Sequence, residues 1–479
     1  MEKKIFLLYI ACYFCIEKLS AKNYSGNTYV KTRNLQSYNF IIGAELLDNI
    51  DNNMSSIFIS PLCAIGNTID NNLGQALSIN KKRLMLFAGD NNQNNYSRDI
   101  RAEYIGGSPE NSGFISINPS QSLYGIKAVA QIPLSNLFQN NILKNISLGL
   151  RTVFTSLEQS CYVKIDGTEN DRKGIQSFFK NTTDYGKIDS KKKFSEMGFE
   201  SIALTIESIY RSRENKLKIH YYTGLEIPTT SVYSSEYLFY PRVGNNGHLG
   251  LLLGAHLFST IYEKKNFSWG IFSHLENHFS IYRTIKRTFD LYQNDMWSKY
   301  LPITKKDYND NIAVKTVSGL THLPVRIHPT NNLDISLGIK SHYTHSDEKY
   351  VDFSFGYNIW FAQKEYSELR DRAFRKEYKN FYAYGIQGST PQQTSSKSTI
   401  YHKAPDDTLN NMPFEKTFVI NDLDMSSVSA EGGHTQSLFL RISGSAHDAC
   451  FSIGTWGEYG EEGIMPSRYG LWIGGGVSW

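Results

Sequence analysis

The stretch Tyr469–Trp479 limits the fold of this chain most, because its side chains alternate in character up to the final residue. Tyr469, Leu471, Ile473, Val477 and Trp479 fall on one face of an extended strand, and Gly470, Trp472, Gly474, Gly476 and Ser478 on the other. The same period of two recurs upstream. Lys216–Ile227 sets Leu217, Ile219, Tyr221, Leu225 and Ile227 against Lys218, His220, Tyr222, Gly224 and Glu226, and Val351–Phe361 sets Val351, Phe353, Phe355, Tyr357, Ile359 and Phe361 against Asp352, Ser354, Gly356, Asn358 and Trp360. Helices repeat every 3.6 residues and cannot keep such a face. Beyond the N-terminus no apolar run approaches the roughly 18 residues of a spanning helix, which excludes a helical membrane protein.

Amphipathic strands that end on an aromatic residue resemble the bacterial outer-membrane β-barrel proteins, and porin-like barrels among them. The resemblance implies an all-β fold, a transmembrane antiparallel up-and-down barrel. It also implies that Trp479 is the signal read by the barrel-insertion machinery, with that machinery and outer-membrane lipid as partners.

Segments with this rhythm predict about fourteen strands, within a range of about 12–14. In order they are Arg83–Gly89, Asp99–Gly106, Phe114–Ile117, Leu123–Ile132, Asn145–Thr155, Phe199–Tyr210, Lys216–Ile227, His248–Tyr262, Phe267–Tyr282, Leu333–His342, Val351–Phe361, Ser437–Gly444, Ala449–Tyr459 and Tyr469–Trp479. Tight turns at Ser212–Glu214, Glu263–Asn266, His345–Glu348 and Ala446–Asp448 alternate with long connections at 156–198, 229–247, 283–331 and 363–435. An outer-membrane barrel puts short turns in the periplasm and long loops outside, whereas a soluble β-sandwich has no need to sort loops by side. The barrel is expected to fill 83–479. Residues 22–82, rich in Asn, Ser and Asp, read as a periplasmic lead-in or an inner segment.

The N-terminus reads as an export signal of residues 1–21, with Lys3 and Lys4 ahead of an apolar core from Ile5 to Ile16. Cys12 and Cys15 would leave with it. Cys63, Cys161 and Cys450 remain, and the sequence leaves open whether Cys63 and Cys161 pair or stay free.

The wet faces carry the residues expected to line a lumen. They are Arg101, Glu103, Lys127, Arg151, Lys218, His220, Glu226 and His256, followed by His274, Glu276, His278, Asp334, Lys340, Asp352, Arg441 and Glu458. With about fourteen strands the lumen would be wider than side chains fill, so an aqueous path is feasible if loops leave it open, and the sequence does not choose between an open and a plugged lumen. The signs are mixed, which predicts weak ion selectivity. His256 should lie opposite His274, about 5 Å away across the turn at Glu263–Asn266. His274, Glu276 and His278 spread over roughly 13 Å of strand, so lumen lining is a better reading for them than a metal site. No cofactor is expected.

With 50 basic and 46 acidic residues, a formal net charge of +4, the chain gives no electrostatic footprint for nucleic acid, which would show as a clustered basic face. Passive diffusion of small hydrophilic solutes is therefore the expected function, with adhesion or another surface interaction through the loops as the alternative. An outer-membrane hydrolase is the weakest reading. Ser273 and Asn277 interrupt an outward face, but no outward histidine accompanies them, and a serine without a base is a poor nucleophile. A homo-oligomer is left open.

Overall fold

The computed structural model describes residues 33, 35–38, 41, 54–66, 384–386, 420–460 and 467–479, together with 85–369 apart from short stretches, of which the longest are 139–144 and 306–314. The expected signal at 1–21 and most of the 363–435 connection lie outside the described residues.

Twelve strands close into one antiparallel barrel. They are β1 Ser56–Gly66, β2 Ser112–Pro133, β3 Ile146–Asp166, β4 Lys193–Arg211, β5 Leu217–Pro228 and β6 Gly250–Lys264, then β7 Phe267–Ser280, β8 Asn331–Ser346, β9 Lys349–Ala362, β10 Gly433–Ala446, β11 Ala449–Gly460 and β12 Arg468–Ser478. Each pairs with its neighbours in sequence, and β1 closes the ring by pairing with both β12 and β2.

Closure explains why the sequence overcounts. Phe114–Ile117 and Leu123–Ile132 are parts of the single strand β2. Arg83–Gly89 and Asp99–Gly106 are not in the ring. Met85–Ala88 and Ile100–Arg101 only extend the sheet beside the far end of β2, and Ala102–Ile105 is a short 3-10 helix that turns Ala102 and Ile105 inward. Conversely, the first strand of the barrel lies inside the stretch expected to be a lead-in. Ile57-Phe58-Ile59 is too short an apolar run to stand out, but Phe58, Leu62 and Ala64 face inward and Ile57, Ile59 and Ile65 outward.

The outer wall is apolar all the way round. Ile126, Leu204, Leu225, Leu251, Leu275, Ile339, Phe355, Leu440, Ile453 and Leu471 are all exposed on it. In hydrocarbon an unpaired backbone group costs several kcal/mol, so a closed ladder with a greasy exterior is a structure that spans a bilayer. The strand ends joined by the β2–β3, β4–β5, β6–β7, β8–β9 and β10–β11 connections lie at the end that holds Trp479, and the strand ends joined by the other connections lie at the opposite end.

At the long-loop end a second folded unit sits on the barrel. β2 and β3 run past the other strands and carry Ile115, Val163 and Ile165 into an apolar core with Phe87, Phe179, Trp297, Tyr300, Ile303 and Val325. Two small sheets complete it, one of Arg283–Thr288, His322–His328 and Tyr366–Leu369, the other of Lys315–Thr316, Pro302–Lys305 and Tyr384–Ile386. The long loops at 156–198 and 283–331 are thus ordered structure in large part.

Candidate functional site: a filled lumen

The inward faces are polar, as their alternation predicts, yet most of their side chains are buried. Lys127 is 1% exposed, Glu276 0% and Asn358 0%. Such values fit a packed interior and not a water-filled pore. Two sets of groups produce it.

The first set joins wall to wall. Arg151 on β3 reaches Glu207 on β4 at 2.8 Å and Glu276 on β7, four strands further round the ring from β3, at 3.4 Å. Its guanidinium lies 4.1 Å from the ring centre of Tyr222, whose hydroxyl donates to Glu276. His278 bridges Glu276 at 2.8 Å and Glu226 at 3.2 Å, and His220 contacts Glu207 at 3.2 Å. Charges taken out of water are tolerated only when paired and hydrogen-bonded in this way. Lower in the barrel Lys340 and His342 share Asp352, at 2.9 and 2.6 Å.

The second set is the chain's own N-terminal segment. Arg33, Leu35–Tyr38 and Ile41 lie inside the barrel and are buried. The Arg33 guanidinium donates to Asn358 at 2.8 Å, to Glu458 at 2.9 Å and to Asp334 at 2.5 Å, so one cation ties together β8, β9 and β11. Tyr38 donates to Glu458 at 2.7 Å, and Glu200 accepts the backbone N–H groups of Leu35 and Gln36 at 3.0 and 2.7 Å. Arg468 and Arg441 hold the carbonyls of Arg33 and Ile41, at 2.7 and 3.4 Å. Leu35, Tyr38 and Ile41 then fill an apolar pocket made by Leu62, Ala64, Leu123, Trp456 and Trp472.

That pocket depends on glycine. Across the β11–β12 ladder Gly454 faces Trp472 and Trp456 faces Gly470. A Cβ on Gly454 would lie 2.3 Å from the Trp472 ring, and one on Gly470 2.3 Å from the Trp456 ring. Each indole therefore lies over a bare backbone on the neighbouring strand, 5.8 Å from the other.

Most residues expected to line a lumen point inward: Lys127, Arg151, His220, Glu226, His256, His274, Glu276, His278, Asp334, Lys340, Asp352, Arg441 and Glu458 are buried there, and Lys218 is half-buried on the same face of β5. Arg101 and Glu103 do not. They sit outside the ring, Arg101 at the start of the 3-10 helix at 102–105 and Glu103 within it, because the apparent alternation there is a helical turn that buries Ala102 and Ile105.

His256 pairs with His274 across β6 and β7 and with His220 across β5 and β6. The His256 and His274 ring centres are 6.3 Å apart, and among the described residues no group of three or more His, Cys, Asp or Glu is arranged to hold a metal ion. Ser273 faces outward between Leu257 and Leu337. Cys63 is free; it lies opposite Tyr124, whereas Cys161 lies further along β3, opposite Pro119. Trp479 is exposed, and its backbone exchanges hydrogen bonds with Ser55 at 2.8 and 2.9 Å.

Sequence reasoning missed Glu200 and Arg33. At Glu200 a bulge opposite Val153 turns two consecutive residues, Glu200 and Ser201, inward and breaks the alternation that would have flagged the first. Arg33 carries no strand signal, and its only sequence-level trace is a cation in a segment otherwise rich in amides.

No protein family matches this sequence, and no curated protein is significantly similar to it. Among solved structures, an outer-membrane channel from Pseudomonas putida F1 is similar at a TM-score of 0.41 and 7% identity, over 92% of this chain and 98% of that one. The transport unit of the autotransporter AIDA-I from Escherichia coli follows at 0.36 and 8%, over 93% and 95%. OprB from Pseudomonas putida stands at 0.25 and 7%, over 91% and 96%. Likenesses this distant carry no function over to this chain.

Proposed function

We propose that this chain is a bacterial outer-membrane channel for small solutes that its own N-terminal segment holds closed. The supporting observation is the strap made by Arg33, Leu35–Tyr38 and Ile41. It occupies the lumen through a few discrete polar contacts and one apolar pocket, while the ring of strands closes without it. Passage then requires the strap to move, which differs from a permanently open porin. Planar-bilayer conductance tests the proposal. The intact protein should be mostly silent, and deletion of residues 33–41 should give steady channels with little charge preference. A silent deletion variant that still shifts on unheated gels would overturn it.

A second reading, in which the barrel displays the outer unit to a partner, is favoured by the hydrophobic core that the long loops build for themselves. It takes the place of the channel if the deletion variant is silent. We also assign to Trp479 the role of assembly signal for the insertion machinery. Removing it should lower the amount of barrel in the outer membrane, and normal surface levels would refute that role.

A further inference from the structure

The ladders of the barrel are not equally regular: β3–β4, β6–β7 and β8–β9 each shift register at one irregularity, and the β1–β12 ladder, beside the apolar pocket, loses two successive pairs. β1 meets β2 in unbroken register from Ser56 opposite Gln131 to Gly66 opposite Gln121. On its other side the β1–β12 register runs from Ser56 opposite Ser478 to Ile59 opposite Gly475, stops at Ser60 and Pro61, and resumes with Leu62 opposite Trp472. Proline has no N–H to give to a ladder, and within sheets it belongs at edges. Here the Ser60 hydroxyl donates to the Ile473 carbonyl at 3.0 Å in place of a backbone bond. β12 adds Gly474-Gly475-Gly476 at the same height, three residues with no side chain to pack across the seam.

Behind this seam the interior is greasy. Leu62, Ala64, Trp456 and Trp472 form the pocket that Leu35, Tyr38 and Ile41 fill. The strap also braces β12 directly, since Arg468 at the head of that strand holds the Arg33 carbonyl. A strap that leaves therefore empties an apolar pocket and removes a brace from a strand whose pairing with β1 is already interrupted. At the opposite end the seam stays fastened by the Ser55–Trp479 pair.

We propose that the β1–β12 seam is a lateral gate through which small apolar or aromatic molecules pass between the lumen pocket and the surrounding bilayer. The gate rests on the strap-closed channel reading and extends it from water-soluble solutes to molecules that partition into lipid. Strap residues act as placeholders for such a molecule. In hydrocarbon, parting strands must leave few backbone groups unpaired, and a seam that already lacks a backbone bond at Pro61 meets that requirement better than any unbroken ladder.

The native Cys63 supplies a test, because it lies opposite Leu471 across the seam. The Leu471→Cys variant of the full-length chain should form a disulfide between its new thiol and Cys63 on oxidation and release it on reduction, and failure to form would refute the register on which the gate depends. Uptake of the apolar probe N-phenyl-1-naphthylamine by cells carrying this variant should be faster under reducing conditions. Under oxidising conditions it should fall to the rate of cells lacking the protein. Because one polypeptide is compared with itself, a folding defect cannot imitate the result. Equal uptake in the two states overturns the gate. The same disulfide placed in the 33–41 deletion variant should leave ion conductance unchanged, so loss of probe uptake with conductance intact separates the gate from the channel. Absence of conductance and of uptake together refutes both.

Discussion

The barrel and the unit above it are both densely packed, but the barrel interior is mostly polar outside one apolar pocket, whereas the outer unit is built on a hydrophobic core with the Arg287–Glu365 and Lys299–Asp290 pairs buried beside it. Inside the ring the buried side chains include Lys127, Arg151, Glu207, Glu276, Asp334 and Glu458, whereas the outer unit buries Phe87, Phe179, Trp297, Tyr300, Ile303 and Val325. The difference follows from the solvent on the far side of each wall. Lipid accepts the apolar face of a membrane strand, so the other face is released to be polar and must satisfy its charges by pairing. The outer unit is surrounded by water and keeps its apolar groups within. A single chain thus switches sign where β2 and β3 leave the membrane, Lys127 and Arg151 lying inside the ring and Ile115 and Ile165 inside the outer core.

The sharpest way to break this contrast is to leave a charge alone inside the barrel. Arg151→Ala removes the cation shared by Glu207 and Glu276 and should cost about 3–5 kcal/mol. The loss would be read as a lower midpoint for urea unfolding followed by gel mobility. An unchanged midpoint would mean that water reaches these carboxylates and that the interior is not packed. The next effect is smaller and confined to the outer unit. Ile303→Ala should cost that unit about 2–5 kcal/mol and expose the long loops to protease, while the barrel keeps its gel shift. Simultaneous loss of the gel shift would show that the two units fold as one.

The wall of the barrel was legible because alternation is enforced on every lipid-facing strand: Lys216–Ile227 and Val351–Phe361 identify themselves, and the turn after β6 brings His256 and His274 close, although a bulge between Thr260 and Tyr262 sets their exact pairing. The contents of the barrel were not legible. A strap needs no period of its own, since Arg33 and Tyr38 are placed by partners more than 300 residues away, such as Asp334 and Glu458. β1 hid for a related reason. Its neighbours in the ring include the other end of the sequence, and nothing local announces that pairing. At Asp99–Gly106 the opposite error arises, because a single helical turn imitates a period of two over a few residues.

Accessibility of a lumen position to water tests the central claim most directly, namely that the chain closes its own barrel. In a background whose native cysteines are replaced by serine, Asn358→Cys places a thiol beside Arg33 at the heart of the strap contacts. A membrane-impermeant thiol reagent should label it slowly in the intact protein and rapidly once residues 33–41 are deleted. Equally rapid labelling in both would contradict the account, since it would mean that the lumen is open to water with the strap in place.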